Sequence, residues 1–500
     1  MYDVIIVGAG VIGCATAREL SRFNLKVLVL EKGHDVCAGA TKAGGGMIHA
    51  GFDPTPGTNK AKYNVAGCPL IYETCEELDV PYLNNGTTVF ATDAHGMDEI
   101  RKLKSTGDIN GVPTEIIEPP KLYEMQPHIG KEVCGILWAP TGGVTDPFTF
   151  TFALAENAAT NGVEFLRNTE VTNITKTQDG FKITTKDHSK GNHNRSVTST
   201  FNTKLAINCA GTCAGIINNM VSENEIKIIP RYGAHVVIDK KLANRLNTTL
   251  IETPHDLPGG GHTKGQAIIP TLGGTMIAGC DATVMEDPDH TAVLDVSLSE
   301  VMEYFRKMWR ILPFEGDRFP EEHIISMFGG CRPHPESNDF IIGEAKDVPG
   351  FINAAGIESP GFTSSIAIAR DLRDIVRDKL NPEANPDFNP HRKAKPAFRD
   401  MTNGERVAAI KEDSDYARVV CRCEMVTEAE IRDAIRRPVG ARSVSSVKMR
   451  TRAGMGRCQG GFCGTRVLEI LCEELGIDPL EVTQCGEDSE ILVAHGCMEE

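Results

Sequence analysis

The chain has 500 residues, of which 41% are hydrophobic and 24% charged, so it exceeds what one hydrophobic core supports and we expect two or three domains. Its formal net charge of −16 argues against a nucleic-acid partner, because neutralising phosphates requires a basic surface. No apolar run approaches the ~20 residues that cross a bilayer, and no basic segment precedes an apolar N-terminal stretch, so we expect a cytoplasmic protein, at most peripheral at the inner face of a membrane.

The N-terminal stretch from Tyr2 to Gly13 joins an apolar run to the spacing G-x-G-x-x-G, which predicts a strand, a tight turn and a helix start. Gly8 permits the turn, Gly10 lets the backbone approach a pyrophosphate, and Gly13 lets the helix pack close to the strand. The stretch therefore predicts a cradle for a dinucleotide.

The next elements complete a βαβ unit, with a helix predicted from Val11 to about Phe23 and a strand from Lys26 to Leu30. Glu31 ends that strand, at the spacing where a carboxylate meets a ribose 2′-hydroxyl. Because Glu31 suits NAD as well as FAD, these residues leave both ligands open.

A glycine-dense loop, from Thr41 to Gly51, follows. Its backbone could pass close to a flat ligand, and the alternative is a flexible surface loop. Met47 and Ile48 lie inside it and favour packing. Further along, we predict a helix over Lys60–Leu78 and a strand over Gly86–Thr92.

The middle of the chain predicts a helix from Phe148 to Asn161, capped by Asp146 and with Pro147 at its first position. Later, Leu205 to Asn208 predicts a further apolar strand, and the polar stretch Thr184–Thr200 predicts a solvated hairpin tip.

Short strands with period-two character run from residue 226 to about 279 and predict an antiparallel sheet inserted into the α/β domain. The amphipathic stretch Ser297–Ile311 predicts a helix that covers this sheet. Turns are predicted at Gly329–Pro333 and Gly356–Thr363, and the second opens a helix from Ser364 to about Asp378. The proline-containing stretch from Asn381 to about Arg399 has little apolar content and predicts a linker.

Near the C-terminus, Cys421 and Cys423 are followed by Cys458 and Cys463. Paired thiolates are typical of a metal site, because chelating pairs hold soft ligands around a small centre. The spacing suits either zinc or a [2Fe-2S] cluster, and a neighbouring redox domain favours iron–sulfur. Cys463 also precedes a predicted helix, Thr465–Leu475, whose dipole favours a thiolate.

Taken together, these motifs resemble the FAD-dependent D-amino-acid-oxidase-like superfamily and, within it, the anaerobic glycerol-3-phosphate dehydrogenase large-subunit family. The resemblance rests on Tyr2–Gly13 with Glu31-Lys32, on Thr41–Gly51, Pro56-Gly57, Lys60-Ala61 and Gly329–Pro333, and on Ala354–Thr363. In addition, Arg450–Cys463 is similar to the bacterioferritin-associated-ferredoxin-like [2Fe-2S] module, with ligands at Cys421, Cys423, Cys458 and Cys463.

The resemblance implies an α/β fold: a Rossmann-like FAD-binding domain with an inserted antiparallel-sheet substrate domain, and a small, mainly helical C-terminal iron–sulfur domain. The oxidoreductase would cover 1–380, a linker 381–414, and the [2Fe-2S] domain with the tail 415–500. Within the oxidoreductase, FAD-binding segments would span about 1–80, 142–220 and 334–380, and the substrate domain about 81–141 and 221–333.

FAD is the dinucleotide that the resemblance implies, with Glu31 on the adenosine ribose. The loop Thr41–Gly46 would lie near the flavin, and Gly356–Thr363 would place amides near its pyrimidine edge. The cofactor-binding residues are then Gly8, Gly10, Gly13, Glu31, Lys32, Thr41, Lys42, Ala43, Gly45, Gly46, Ala210, Gly211, Gly356, Gly361, Phe362 and Thr363.

For the substrate, the resemblance places Arg332 at the acidic end of the molecule, and Arg231 and Lys264 are further candidates. A guanidinium fork suits a phosphate or carboxylate, although either arginine could instead form a surface ion pair. His49 is the candidate base for the hydroxyl proton, the alternative being a structural histidine.

Two departures from the family weaken the substrate assignment. Gly44-Gly45 stand where relatives tend to carry Asn-Ser, and Gly273 stands where a histidine is usual after Pro270-Thr271. Both changes remove polar groups near the expected active site.

The resulting hypothesis is a flavin dehydrogenase for glycerol 3-phosphate that passes electrons from FAD through the cluster to an electron-acceptor partner protein. The alternatives are a 2-hydroxy-acid dehydrogenase, for instance for L-2-hydroxyglutarate, and a non-catalytic electron-transfer or assembly subunit.

Overall fold

The strands of this protein form largely from the apolar runs of its sequence. The computed structural model describes residues 1–188, 197–243, 246–254, 265–279, 282–289, 306, 311–312 and 321–494. Within these residues the strands, in chain order, are β1 (Tyr2–Val7), β2 (Val27–Leu30), β3 (Met47–Ile48), β4 (Tyr82–Leu83), β5 (Thr87–Ala91), β6 (Glu115–Ile117), β7 (Gly135–Ala139), β8 (Gly143–Thr145), β9 (Glu164–Leu166), β10 (Thr169–Thr177), β11 (Gly180–Asp187), β12 (Thr198–Asn208), β13 (Ile228–Ile238), β14 (Thr249–Glu252), β15 (Ala267–Pro270), β16 (Met276–Gly279), β17 (Thr283–Val284), β18 (Ile324–Pro335), β19 (Ile341–Glu344), β20 (Phe351–Ala355), β21 (Val419–Cys421) and β22 (Val426–Thr427).

The α-helices of the same described residues are, in chain order, α1 (Val11–Leu20), α2 (Asn59–Glu77), α3 (Ala94–Ile109), α4 (Lys121–Met125), α5 (Pro147–Thr160), α6 (Ala214–Asn219), α7 (Lys240–Ala243), α8 (Gly361–Leu380), α9 (Asn403–Glu412), α10 (Glu428–Arg436), α11 (Val444–Thr451) and α12 (Gly464–Leu475). Of these helices, five were predicted with bounds within a few residues of those observed: α1, α2, α5, α8 and α12. The Asp146 side chain accepts from the Phe148 N–H (3.0 Å) and caps α5 as predicted. Helix α1 ends before the predicted Phe23, because Phe23 instead forms a β-bridge with Ala384.

The first sheet has the Rossmann-like arrangement that was predicted. Its order is β10-β11-β12-β1-β2-β9, with β20 beside β12 and β19 beside β20, and β1 runs parallel to both β2 and β12. Val4 and Ile6 pack against α1, α5 and α8, whereas Ile5 and Val7 face the opposite side. The carboxyl ends of β1, β2 and β12 therefore meet at one edge of the sheet, where α/β proteins bind ligands.

The second sheet has nine strands, in the order β17-β13-β16-β15-β14-β5-β7-β6, with β18 paired to β13. Its pairings are antiparallel as predicted, except that β14 runs parallel to β5. The predicted helix Ser297–Ile311 lies almost wholly outside the described residues, as does the centre of the predicted hairpin tip, residues 189–196.

The predicted turn at Gly329–Pro333 is wrong, because these residues lie inside the long strand β18, which pairs with β13 throughout. The two glycines of this stretch allow close packing of neighbouring side chains and do not form a turn. A Cβ at Gly329 would overlap the Tyr232 hydroxyl, and a Cβ at Gly330 would lie 2.7 Å from Ala43 Cβ. The second predicted turn does lead into a helix, but α8 begins at Gly361, three residues before Ser364.

The C-terminal part forms its own helical module with a small hydrophobic core. The hairpin of β21 and β22 precedes α10, α11 and α12, and the core includes Ile431, Val447, Ile470 and Leu471. Helix α9 lies within the predicted linker at 381–414. A capping box of Thr402 and Glu405 caps its N-terminus. Among the helices that the structure describes, none is both long and apolar enough to span a membrane.

A buried ion pair joins this module to the FAD-binding domain. The Arg450 guanidinium donates two hydrogen bonds to the Asp35 carboxylate (2.5 and 2.9 Å), and the two side chains are 1% and 3% exposed. Arg167 also contacts Asp35 (3.2 Å), and Arg450 lies over the Phe152 ring, 3.9 Å from its centre. Because Asp35 follows Glu31 by four residues, the module docks beside the predicted adenosine site.

We predict that Asp35→Asn destabilises this docking, because it leaves two arginines without a buried counter-charge, a loss that costs about 3–5 kcal/mol. Burial alone raises the pKa of Asp35, but the Arg450 and Arg167 guanidinium groups lower it below its ordinary value. The ion pair therefore stabilises the fold above the unfolded pKa of about 3.9 and loses this effect as pH falls through the lower folded pKa.

Urea unfolding followed by the visible absorbance of the holoprotein measures this effect. The loss in Asp35→Asn should be constant between about pH 6 and 8, where the carboxylate stays ionised. Asp371→Asn is the matched control, since its pair with Lys62 is 41% and 59% exposed and should change stability by less than about 1 kcal/mol. Equal effects of the two substitutions would contradict the assigned role of Asp35.

Candidate functional site

A cleft of about 2390 Å³ opens where the two sheets meet. Its walls are the ends of β1, β2 and β12, the loop after Ala38, and parts of β13 and β18. Of the predicted cofactor-binding residues, Gly13, Gly356 and Thr363 do not line this cleft, and all the others do. One cleft thus gathers residues from distant parts of the chain.

The glycine cradle has the geometry that its spacing predicts. Gly8 has φ +102°, and a Cβ there would overlap the Cys209 carbonyl oxygen. A Cβ at Gly13 would overlap the Gly8 carbonyl oxygen, so the close crossing of strand and helix needs glycine at both positions. Helix α1 begins at Val11, and its first turn lies at the cleft. This backbone fits the pyrophosphate of FAD.

Glu31 and Lys32 lie at the end of β2, on the same wall. The N–H groups of Ala9 and Gly33 donate to the two carboxylate oxygens of Glu31 (2.6 and 2.7 Å). Burial raises the pKa of Glu31, and these two amides oppose the shift. A carboxylate offers about four lone-pair positions, so Glu31 retains acceptors for ribose hydroxyls. Lys32 is directed away from this carboxylate, to Cys213 Sγ (3.3 Å) and Asp289.

The loop predicted beside the flavin is anchored to the cradle. Thr41 Oγ1 accepts from the Val11 N–H (3.1 Å), at the first residue of α1. Gly46 has φ +74°, and a Cβ there would overlap the Thr145 carbonyl oxygen, so the loop lies close against β8. Its remaining predicted members, including Lys42 and Ala43, line the cleft.

The segments predicted at the pyrimidine edge pack against this loop. The Thr363 hydroxyl accepts from the His49 N–H (2.9 Å), and the Phe362 ring meets Phe150 edge to face at 5.4 Å. Gly356 has φ +67° and packs against Pro335. Ala210 and Gly211 follow β12 and border the cleft from the other side.

The two candidate arginines lie on adjacent strands, with Arg231 of β13 directly opposite Arg332 of β18. Both line the cleft. Directly opposite residues point to the same face of a sheet, so the two guanidinium groups present positive charge together. The pair therefore suits an anionic ligand. The third candidate, Lys264, lies outside the described residues.

His49 follows the short strand β3 and lines the cleft. Its Nε2 lies 3.3 Å from Ser359 Oγ, and its carbonyl oxygen accepts from Asn64 Nδ2 (2.8 Å). The contact of Ser359 with the ring and the contact of Asn64 with the backbone carbonyl thus hold His49 in position. Ser359 and Asn64 were not predicted, since neither lies in a motif with His49.

A buried charged group beside the cleft was also missed. Lys60 Nζ and His334 Nδ1 both contact Glu358 Oε1, at 2.7 and 2.9 Å, and all three side chains are at most 9% exposed. Lys60 and Glu358 line the cleft next to Ser359. These residues are up to 298 positions apart, so no local spacing reveals them.

Gly45 and Gly273, at the two departures from the family pattern, both lie close to other side chains. A Cβ at Gly45 would overlap the Ile269 side chain, and a Cβ at Gly273 would overlap the guanidinium of Arg452. Arg452 comes from the C-terminal module and pairs with Glu424 (3.0 Å). The volume left by the missing histidine is thus occupied by a cation from another domain.

The four predicted cluster cysteines form two pairs. Cys423 Sγ lies 3.9 Å from Cys458 Sγ, and both residues are exposed. Cys421 and Cys463 form the other pair and are buried. The pKa of Cys421 is lowered to about 6, chiefly because its sulfur accepts a hydrogen bond from Cys463 and further ones from backbone amides, including that of Gly454.

This arrangement fits a [2Fe-2S] cluster, in which two thiolates bind each of two irons. In the part of the chain that the structure describes, no three His, Cys, Asp or Glu side chains come together around a single metal ion.

Comparison with known proteins agrees with this geometry. The model of the family "FAD dependent oxidoreductase" matches residues 3–375, and that of the "BFD-like [2Fe-2S] binding domain" matches residues 419–473. The chain is 43% identical to the glycerol 3-phosphate dehydrogenase of Caloramator mitchellensis, over 98% of both chains. It is 28% identical to the L-2-hydroxyglutarate dehydrogenase of Caenorhabditis elegans, over 60% of this chain and 68% of that one.

Among solved structures, the FAD-bound L-alpha-glycerophosphate oxidase of Mycoplasma pneumoniae superposes with a TM-score of 0.69 at 28% identity. The match covers 79% of this chain and 99% of that chain.

Proposed function

Because the chain belongs to the FAD dependent oxidoreductase family, we propose that it oxidises glycerol 3-phosphate to dihydroxyacetone phosphate and delivers the electrons to a partner protein. The enzyme uses FAD, and its C-terminal module carries a [2Fe-2S] cluster. The observation that supports an anionic substrate is the pair of arginines, Arg231 and Arg332, which lie opposite each other in the cleft. Two guanidinium groups on one face suit the dianionic phosphate, and the relatives that act on glycerol 3-phosphate support this choice.

The chain supplies binding, orientation and proton transfer. The arginines hold the phosphate, and His49 accepts the hydroxyl proton, while Ser359 and Asn64 keep its ring and backbone in place. FAD held by the glycine cradle and Glu31 would supply the acceptor for the hydride of the substrate carbon.

The cluster supports the proposed route of the electrons. A flavin receives two electrons at once, whereas a [2Fe-2S] cluster carries one at a time, so the module suits stepwise delivery to an acceptor. An enzyme that used only oxygen would not need this centre. We therefore propose a dehydrogenase with an electron-acceptor partner protein.

An anaerobic visible spectrum of the holoprotein, recorded before and after addition of glycerol 3-phosphate, tests the function. We expect bleaching of the flavin band near ~450 nm, with iron but not zinc in the same sample. A flavin that glycerol 3-phosphate leaves oxidised, in protein that dithionite does reduce, would refute the substrate assignment.

A second candidate, L-2-hydroxyglutarate dehydrogenase, is favoured by one specific observation. The arginine pair would bind a carboxylate as well as a phosphate, and a relative with that activity covers the FAD-binding region. A panel of phosphate and carboxylate substrates separates the two activities by which compound bleaches the flavin. Bleaching by neither class would favour the non-catalytic subunit, for which the loss of polar side chains at Gly45 and Gly273 is the supporting feature.

A further inference from the structure

The exposed edge of the cluster site differs from the rest of this acidic protein. Cys423 and Cys458 are exposed, and beside them Phe462 is 61% and Met425 38% exposed. The guanidinium of Arg422 lies over the Phe462 ring, 4.6 Å from its centre. We call these five residues the cluster rim. Arginine, methionine and aromatic side chains are the types enriched in protein interfaces.

The charged side chain of the rim apart from the thiolates, Arg422, is a cation, although the chain carries a net charge of −16. Within the described part of the chain, Arg422 makes no ion pair. The adjacent carboxylate, Glu424, is 2% exposed and is neutralised by Lys240, Arg399 and Arg452. The segment from Arg450 to Arg466 contains no aspartate or glutamate. A partner that meets this rim therefore encounters positive charge and apolar surface.

The two cysteine pairs face different surroundings. Beside the buried pair, the Glu424 N–H donates to the Cys421 sulfur, and the Glu424 carboxylate pairs with Lys240 of the substrate domain (3.0 Å). The Cys421 and Cys463 thiols are buried, whereas Arg457, next to Cys458, also contacts the oxidoreductase through Asp239 (3.4 Å). The exposed pair, Cys423 and Cys458, opens to solvent at the rim. The site thus has an inner side and an outer side.

We propose that the cluster rim is the docking surface for the electron acceptor, and that this acceptor is a small redox protein with an acidic face around its own cofactor. Electrons enter through the buried pair and leave through Cys423 and Cys458. Each transfer moves one electron from the reduced cluster to the oxidised partner without making or breaking a bond. Two transfers balance the two electrons removed from one substrate molecule. This inference rests on the proposed electron transfer but not on the identity of the substrate.

Stopped-flow mixing tests the docking with holoprotein that has been reduced by dithionite and desalted anaerobically. The probes are the acidic soluble domain of cytochrome b5 and the basic cytochrome c. For the unmodified protein, we expect the second-order rate with cytochrome b5 to fall as salt rises, because charges of opposite sign steer the encounter. A rate with cytochrome c that falls in the same way, while that with cytochrome b5 does not, would overturn the proposal.

Two variants locate the surface. Arg422→Glu and Phe462→Ala should each lower the cytochrome b5 rate by about tenfold or more while leaving the visible spectrum unchanged. Arg101→Glu and Ile109→Ala, on the exposed side of α3, are the matched controls and should not change it. Unchanged rates in both rim variants would overturn the proposal. So would a dimer in sedimentation that dissociates on Phe462→Ala, since the rim would then bind a second copy of this chain.

Because dithionite replaces the substrate, the outcome does not depend on the substrate assignment. A failure of glycerol 3-phosphate to bleach the flavin refutes the substrate, and a failure of the rim variants to slow the probe refutes the docking surface.

Discussion

Replacing Cys458 with serine should abolish the visible absorbance of the cluster and turnover with the protein acceptor, while the substrate still bleaches the flavin. Cys458 is one half of the exposed pair with Cys423, and serine is a poor ligand where iron requires a thiolate. The FAD cradle lies in a different domain with its own core, so flavin reduction should survive. Anaerobic spectra before and after substrate, followed by turnover with the acceptor, measure both parts.

Cys472→Ser is the matched control, since Cys472 lies on α12 of the same module but not in either cysteine pair. It should keep cluster absorbance and turnover. A Cys458→Ser protein whose flavin is no longer reduced by substrate would refute the division of work between the two cofactors.

Arg332→Lys should raise the KM for glycerol 3-phosphate by about 10- to 150-fold, equivalent to about 1.5–3 kcal/mol for a lost charge-assisted hydrogen bond. Lysine keeps the positive charge but not the planar fork that binds two phosphate oxygens at once. Arg231 lies directly opposite and should retain part of the binding. Steady-state kinetics at saturating acceptor give KM and kcat separately.

Arg370→Lys serves as the control, because Arg370 is 41% exposed on α8 and its ion pair with Glu73 is long (3.9 Å). Its KM should equal that of the unmodified protein. If Arg332→Lys behaves in the same way, Arg332 does not bind the substrate.

Local motifs could be predicted from the sequence because their chemistry is local. The glycine spacing from Gly8 to Gly13 fixes a turn and a close crossing within one βαβ unit, and the structure shows both. The strand and helix order of the FAD-binding domain follows from apolar periodicity in the same way. The paired spacing of the four cluster cysteines also predicted a metal-binding set, although it could not choose between zinc and iron.

Contacts between distant segments could not be predicted. The group of Lys60, Glu358 and His334 exists only because α2 and β18 meet the loop before α8, and no single-segment pattern encodes that meeting. The error at Gly329–Pro333 has a related cause. Glycine permits a turn and also permits the close approach of a neighbouring segment of the chain. The packing of Ala43 against Gly330 in the structure identifies the second role here.

The docking of the module by Arg450 and Asp35 has a consequence for protein engineering. Domain grafting usually assumes that a redox module needs only a linker of suitable length. Here the recipient must also supply an aspartate four residues after the glutamate at the end of β2 and a glycine where Arg452 enters. A flavoenzyme that is given this iron–sulfur module without those two residues should not hold the module in a fixed position. A flavoenzyme that carries both residues should hold the module, and its redox centre, in a fixed position.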